Sequence, residues 1–148
     1  MENTLLEELY GAWQLVFWRI EYDSLRPPDE PFGSDPQGLL LYERSGWMSA
    51  TMSTRQRTAL SAASAAVASV ASKAVVLDEY LAYCGRWRLD GNVVVHDVWC
   101  SLNPVLIGTE QRREATFTAG FLDLTAVETE RGSGANKSRR HRIRWRRR

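Results

Sequence analysis

Two cysteines, Cys84 and Cys100, are all that the 148 residues contain, too few for a disulfide framework. Only His96 and His141 could join them as imidazole ligands, which argues against a structural metal. No apolar run approaches the roughly 20 residues of a membrane-spanning helix. The opening Met1, Glu2, Asn3, Thr4 lacks the basic-then-apolar order of a signal peptide, so the expected location is cytoplasmic, with reduced thiols. There is no Gly-x-Ser-x-Gly elbow, phosphate-binding loop, dinucleotide glycine fingerprint or metal-ligand spacing. These absences disfavour hydrolase, kinase and dehydrogenase chemistry, and no cofactor is expected.

What is present suits one domain over residues 1–148, with 44% hydrophobic residues to build a single core. Net charge is +1, but eight of the 19 Lys/Arg lie within residues 137–148, where there is no acid. The remaining 11 bases face 18 acids, so the body carries −7 and the basic C-terminal strand or tail stands apart. An acidic body repels phosphate; nucleic acid is therefore not the expected partner, and the tail reads as a solvated strand edge or an appended arm.

Hydrophobicity alternates with period two along most of the chain, and turn signals cut it into strand-length pieces. After a short helical entry at Leu5, Leu6 and Leu9, strands are expected over 13–22, 38–43, 47–53, 79–89, 93–102, 109–117, 121–128 and 140–147. A loop over 23–37 holds Pro27, Pro28, Pro31 and Pro36, which remove backbone donors. The Ala/Ser-rich stretch 58–73 has neither proline nor glycine and reads as a helical insertion, with a poorly ordered low-complexity segment as the alternative. Residues 129–138 read as a flexible connection. Eight antiparallel strands in meander order predict an all-β up-and-down barrel, wide enough inside for side chains or one small ligand. A sandwich would bury the same residues without a cavity.

An Asp90-Gly91 turn would place Trp87 opposite Val94, Gly85 opposite His96 and Tyr83 opposite Val98. Tyr83, Trp87, Val94, His96, Val98 and Cys100 then face inward. Cys84 falls on the outer face with Arg86, Arg88 and Asp97, so the two cysteines could not bridge. On the next strand Glu110, Arg112, Glu114 and Thr116 form a polar face, which turns Thr109, Gln111, Arg113, Ala115 and Phe117 inward. An isolated buried guanidinium costs several kcal/mol, so Arg113 needs an internal acid or a ligand oxygen. Polar His96, Gln111, Arg113, Tyr42 and Tyr83 within apolar walls have the composition of a small-molecule site, or of a satisfied polar cluster bridging strands.

Several motifs, in order, resemble the small bacterial and fungal lipocalin-like domain family. They are Gly11-Ala12-Trp13-Gln14-Leu15-Val16, Pro31-Phe32-Gly33, Gly38-x-Leu40-x-Tyr42 and Gly46-x-Met48-Ser49, followed by the run from Tyr80 to Trp87. His96-x-Val98-x-x-Ser101-x-x-Pro104 and Gly108-Thr109-Glu110-Gln111-x-Arg113 complete the series. The resemblance implies an antiparallel barrel with an internal cavity and a helix before Tyr80 near one mouth. It also implies that a late arginine, Arg142 or Arg144, packs on Trp13. The plain Ala/Ser insertion and the arginine-heavy end depart from the family pattern.

Members of that family look like small-ligand binders, and some similar barrels are cofactor-free tailoring proteins of polyketide or terpenoid pathways. The first functional expectation is therefore a cofactor-free cyclase or isomerase of a hydrophobic, oxygenated small molecule. His96 would be its general acid/base because its ordinary pKa is near neutrality, and Arg113 with Gln111 would hold a carboxylate or developing enolate. Trp13, Tyr42, Met48, Tyr83, Trp87, Val98 and Phe117 would bind and shape the substrate. The alternative is a carrier that anchors an apolar acid on Arg113 without turnover. A third is a basic-tail interaction module with the barrel as scaffold. A hydrophobic small molecule is the expected partner, a homodimer is left open, and no membrane is expected.

Overall fold

The structure is a computed structural model and describes residues 2–60, 65–130 and 137–148. Its strands are β1 (Gly11–Tyr22), β2 (Gln37–Tyr42), β3 (Trp47–Ser53), β4 (Tyr80–Asp90), β5 (Val93–Ser101), β6 (Glu110–Thr118), β7 (Phe121–Glu130) and β8 (Lys137–Arg147). Each pairs antiparallel with the next, and β8 returns to β1, so the sheet closes into an eight-stranded barrel. Closure removes both sheet edges. Alternation sends Trp13, Leu40, Met48, Val94, Leu122 and Trp145 into the core, where each is nearly or fully buried. Among the described residues no helix is long and apolar enough to cross a membrane.

The arginine-rich end is the closing strand. β8 pairs with β1 on one side and β7 on the other, alternating outward arginines with inward His141, Ile143 and Trp145. The body's acids meet it: Asp123 accepts from Arg144 Nε at 2.7 Å and Arg142 Nη2 at 3.0 Å, and Glu128 accepts from Arg139 Nε at 2.6 Å. Phe17 lies beneath Arg19 and Arg144, at 4.2 and 5.3 Å from ring centre to guanidinium carbon.

Helix α1 (Glu2–Leu9) plugs one end of the barrel. Leu9 is fully buried and its carbonyl accepts the Trp13 indole N–H at 2.9 Å. The arginine on Trp13 is Arg147, 4.3 Å above the ring and donating to the carbonyls of Tyr10 and Glu8. Arg142 and Arg144 do not fill that position, because they lie further along β8 beside Asp123.

The insertion helix starts later than expected over 58–73. Helix α2 spans Val70–Asp78 after a 3₁₀ turn at Ala65–Val67, and residues 61–64 lie outside the described residues. Ser69 caps it by accepting the Ser72 N–H, so the helix begins where a cap is in place. Residues 58–60 are irregular, with Thr58 N–H donating to the Glu79 carboxylate at 2.8 Å. Thr129 and Glu130 belong to β7 and Lys137 and Ser138 to β8; the rest of the expected connection, 131–136, lies outside the described residues.

The β4–β5 register corrects the sequence reading in two ways. Asp90 pairs with Val93, so the turn is Gly91-Asn92 with Gly91 at φ 63°, and Trp87, not Gly85, faces His96. A shift of two leaves the faces unchanged. Further along, Gly85 pairs with Val98 but Cys84 pairs with Cys100, which makes Trp99 the extra residue of a β-bulge. Beyond it Cys100 turns outward beside Cys84, against the expectation of opposite faces. Gly85 permits this crowding, since a Cβ there would sit 2.0 Å from the Asp97 carbonyl oxygen.

Candidate functional site

Adjacent strands bring the polar interior together. His96 on β5 lies opposite Gln111 on β6, and Val94 lies opposite Arg113. As the sequence implied, Gln111 and Arg113 share the inner face of β6, while Arg112 pairs outside with Asp90 at 2.6 Å. His96 is 2% exposed. Both of its nitrogens are taken: Tyr42 Oη lies 2.6 Å from Nε2 and Tyr83 Oη lies 2.7 Å from Nδ1.

Burial, reinforced by the nearby Arg113 charge, lowers the His96 pKa to about 3, and burial raises those of Tyr42 and Tyr83. All three groups are neutral at neutral pH. A neutral imidazole donates through one nitrogen and accepts through the other. Among the described residues Tyr42 has no second partner, and it lies off the cavity, so its hydroxyl donates to Nε2. The Nδ1–H then donates to Tyr83, whose own O–H is left to point at the cavity that Tyr83 lines. Titration near neutrality, the property that recommended His96 as a general base, is absent.

That inner cavity has a volume of about 50 Å³. Tyr83, His96, Arg113, His141 and Trp145 form its polar wall, and Leu40, Ala50, Met52, Leu81, Leu124 and Ile143 its apolar wall. Trp18 and Leu81 also line a vestibule of about 460 Å³ at the open mouth, walled by Phe32, Leu77 of α2, Tyr80, Leu102 and Leu106.

The polar wall offers donors. Arg113 donates to the Arg112 carbonyl at 2.9 Å and to Gln111 Oε1 at 3.4 Å, but among the described residues it has no carboxylate partner. Trp145 is 2% exposed, and among the described residues its indole N–H has no hydrogen-bond partner. His141 Nδ1 accepts from the Trp18 indole N–H at 3.3 Å, which puts its proton on Nε2. That atom lies 3.3 Å from Glu128 Oε2 without hydrogen-bond geometry. Burial holds the His141 pKa below its ordinary value despite Glu128. Among the described residues no carboxylate or amide side chain lines the cavity.

The structure groups the sequence candidates unevenly. His96, Arg113 and Tyr83 line the cavity; Gln111 stands behind Arg113, its Nε2 donating to Thr109 at 3.0 Å. Trp13, Phe117, Tyr42 and Trp87 pack toward the plugged end, Trp13 on Phe117 at 5.8 Å and Tyr42 on Trp87 at 4.5 Å between ring centres. Met48 and Val98 are buried and do not line the inner cavity. Trp18, His141 and Trp145 were missed. For His141 and Trp145 the signal was their alternation with arginines on β8, which reads inward as plainly as that of β6, whereas Trp18 lies on β1 beyond a register shift between Leu15 and Phe17 that alternation does not show.

Searches of curated proteins and of solved structures found no match to this chain. A family model described as a lipocalin-like domain matches residues 10–148, from the strand carrying Gly11-Ala12-Trp13 through the closing strand with Arg147. With nearly its whole length matched and a closed eight-stranded barrel plugged by an N-terminal helix, the chain belongs to the lipocalin-like domain family.

Proposed function

We propose that the barrel binds a small, largely apolar molecule carrying a carboxylate or comparable anionic oxygen, which enters head first. The observation that carries this is Arg113, a half-buried residue that lines the inner cavity and has no carboxylate partner among the described residues. Such a charge is costly to hold unless an anion meets it, and charge-assisted hydrogen bonds are the strong ones. The Trp145 N–H, without a partner among the described residues, and the Tyr83 hydroxyl add neutral donors to the same space. An inner cavity of about 50 Å³ suits a head group, and the vestibule of about 460 Å³ suits the apolar body. The test is native mass spectrometry with a panel of aromatic and branched carboxylates beside their methyl esters. Retention of acids over esters, lost in Arg113→Met, is expected; equal retention of both by the wild type would overturn the reading.

One observation favours a catalytic version, a cofactor-free cyclisation or isomerisation of a polyketide- or terpenoid-like intermediate. The hydrogen-bonded chain Tyr42–His96–Tyr83 ends in a hydroxyl at the cavity. That hydroxyl, with Arg113, would stabilise an oxygen that gains charge in the transition state, while His96 orients it. In this version Tyr83→Phe removes turnover of pathway metabolites while retention persists, and unchanged turnover would exclude it.

A further inference from the structure

We propose that Cys84 and Cys100 are a peroxide-oxidisable pair that closes a cross-strand disulfide on the outer face of the barrel, independently of what the cavity binds. The β-bulge at Trp99 makes them direct partners on β4 and β5. Opposed residues of an antiparallel ladder hold their Cα atoms about 4.5–5.5 Å apart, inside the range of about 4.4–6.8 Å that a disulfide spans. Both side chains point the same way, and Cys100 is exposed while Cys84 is half-buried. The Cys84 thiol is held above its ordinary pKa by burial and by the adjacent Cys100 thiol.

The exposed partner meets the oxidant first. The Cys100 thiolate attacks one oxygen of hydrogen peroxide; the O–O bond breaks, and after proton uptake a sulfenic acid and one water remain. The Cys84 sulfur then attacks the Cys100 sulfur, its proton leaves with the hydroxyl as a second water, and the S–S bond forms. Two thiols and one peroxide thus give one disulfide and two waters. Each sulfur loses one electron, and the peroxide takes both.

The bridge would lie next to Ser101 and two residues from Ala82, which line the vestibule and are already tied there by the Ser101 hydroxyl donating to the Ala82 carbonyl at 3.3 Å. Oxidation would therefore clamp the strand pair at the barrel mouth.

The experiment uses the full chain, reduced, freed of reductant and treated with hydrogen peroxide in slight excess. Intact mass spectrometry should show a loss of about 2 Da, with both thiols disappearing together and returning with dithiothreitol, and no dimer on a non-reducing gel. Cys84→Ser should instead leave Cys100 as a dimedone-reactive sulfenic acid. Wild-type protein that gains about 16 or 32 Da with no disulfide, or that cross-links between chains, would overturn the proposal.

Discussion

Arg113 on β6 and Trp145 on β8 line one small cavity, and among the described residues neither the guanidinium nor the indole N–H meets a carboxylate. The two should contribute unequally to ligand affinity. A hydrogen bond to a charged group is worth about 1.5–3 kcal/mol and a neutral one about 1. Arg113→Met should weaken binding of an apolar carboxylate by roughly 10- to 100-fold and Trp145→Phe by a few-fold to tenfold, as read by calorimetry with the tightest acid of the panel. An unchanged dissociation constant in Arg113→Met would remove the anchor.

The same charge burdens the empty protein. Arg113→Met keeps the volume roughly while removing a cation that lacks a carboxylate partner among the described residues, so the variant should unfold at a higher denaturant concentration than the wild type, by about 1 kcal/mol. Lower stability of the variant without ligand would mean that Arg113 is a structural member of the polar cluster.

His96 should set an acid limit on stability. Its folded pKa of about 3 lies below the ordinary 6.5, so between those values the unfolded chain holds a proton that the folded chain refuses. Stability is therefore complete above about pH 6.5 and falls by up to about 1.4 kcal/mol per unit as pH drops toward 3. His141, also lowered by burial, acts in the same direction. Urea midpoints for the wild type should decline from about pH 6.5 to 5, with a shallower decline in His96→Gln. Parallel profiles would show that His96 is not held neutral.

The barrel was legible because nearly every strand repeats with period two and the polar face of β6 is unambiguous at Glu110, Arg112 and Glu114. Face assignment by alternation found Gln111, Arg113, His96 and Tyr83. It failed at Cys100 because alternation assumes an unbroken ladder, and one extra residue at Trp99 inverts everything beyond it. Gly85 in mid-strand was the available signal for that bulge. The size and contents of the cavity were not legible, since the packing of Tyr42 on Trp87 and of Trp13 on Phe117 depends on where α1 plugs the barrel.

Asp123 fastens the seam that the basic end closes. Its side chain is 7% exposed; burial alone would raise its pKa, but Arg144 and Arg142 hold it below the ordinary carboxylate value. Asp123→Asn leaves two guanidinium groups without their shared carboxylate and should cost about 3 kcal/mol, the usual scale for breaking a buried pair. Thermal denaturation would register this as a clear drop in Tm. A loss within about 0.5 kcal/mol would mean that the arginines re-pair with other acids such as Glu21, 3.8 Å from Arg142.

Gly85 links the fold to the cysteine pair. A methyl group there would lie 2.0 Å from the Asp97 carbonyl oxygen and 2.9 Å from the Trp99 backbone nitrogen, both fixed main-chain atoms. Gly85→Ala must therefore spread β4 from β5 at the bulge, at a cost of about 3 kcal/mol or more by analogy with overpacked cores. If the protein still folds, the bulge can be relieved by returning Trp99 to the ladder, which turns Cys100 back toward the inner face. The variant should then lose both stability and the disulfide-forming reaction with peroxide, whereas Gly33→Ala, where an added methyl meets nothing, should keep the reaction despite its strained φ of 78°. Intact disulfide formation in a folded Gly85→Ala would show that the cysteines meet without the bulge.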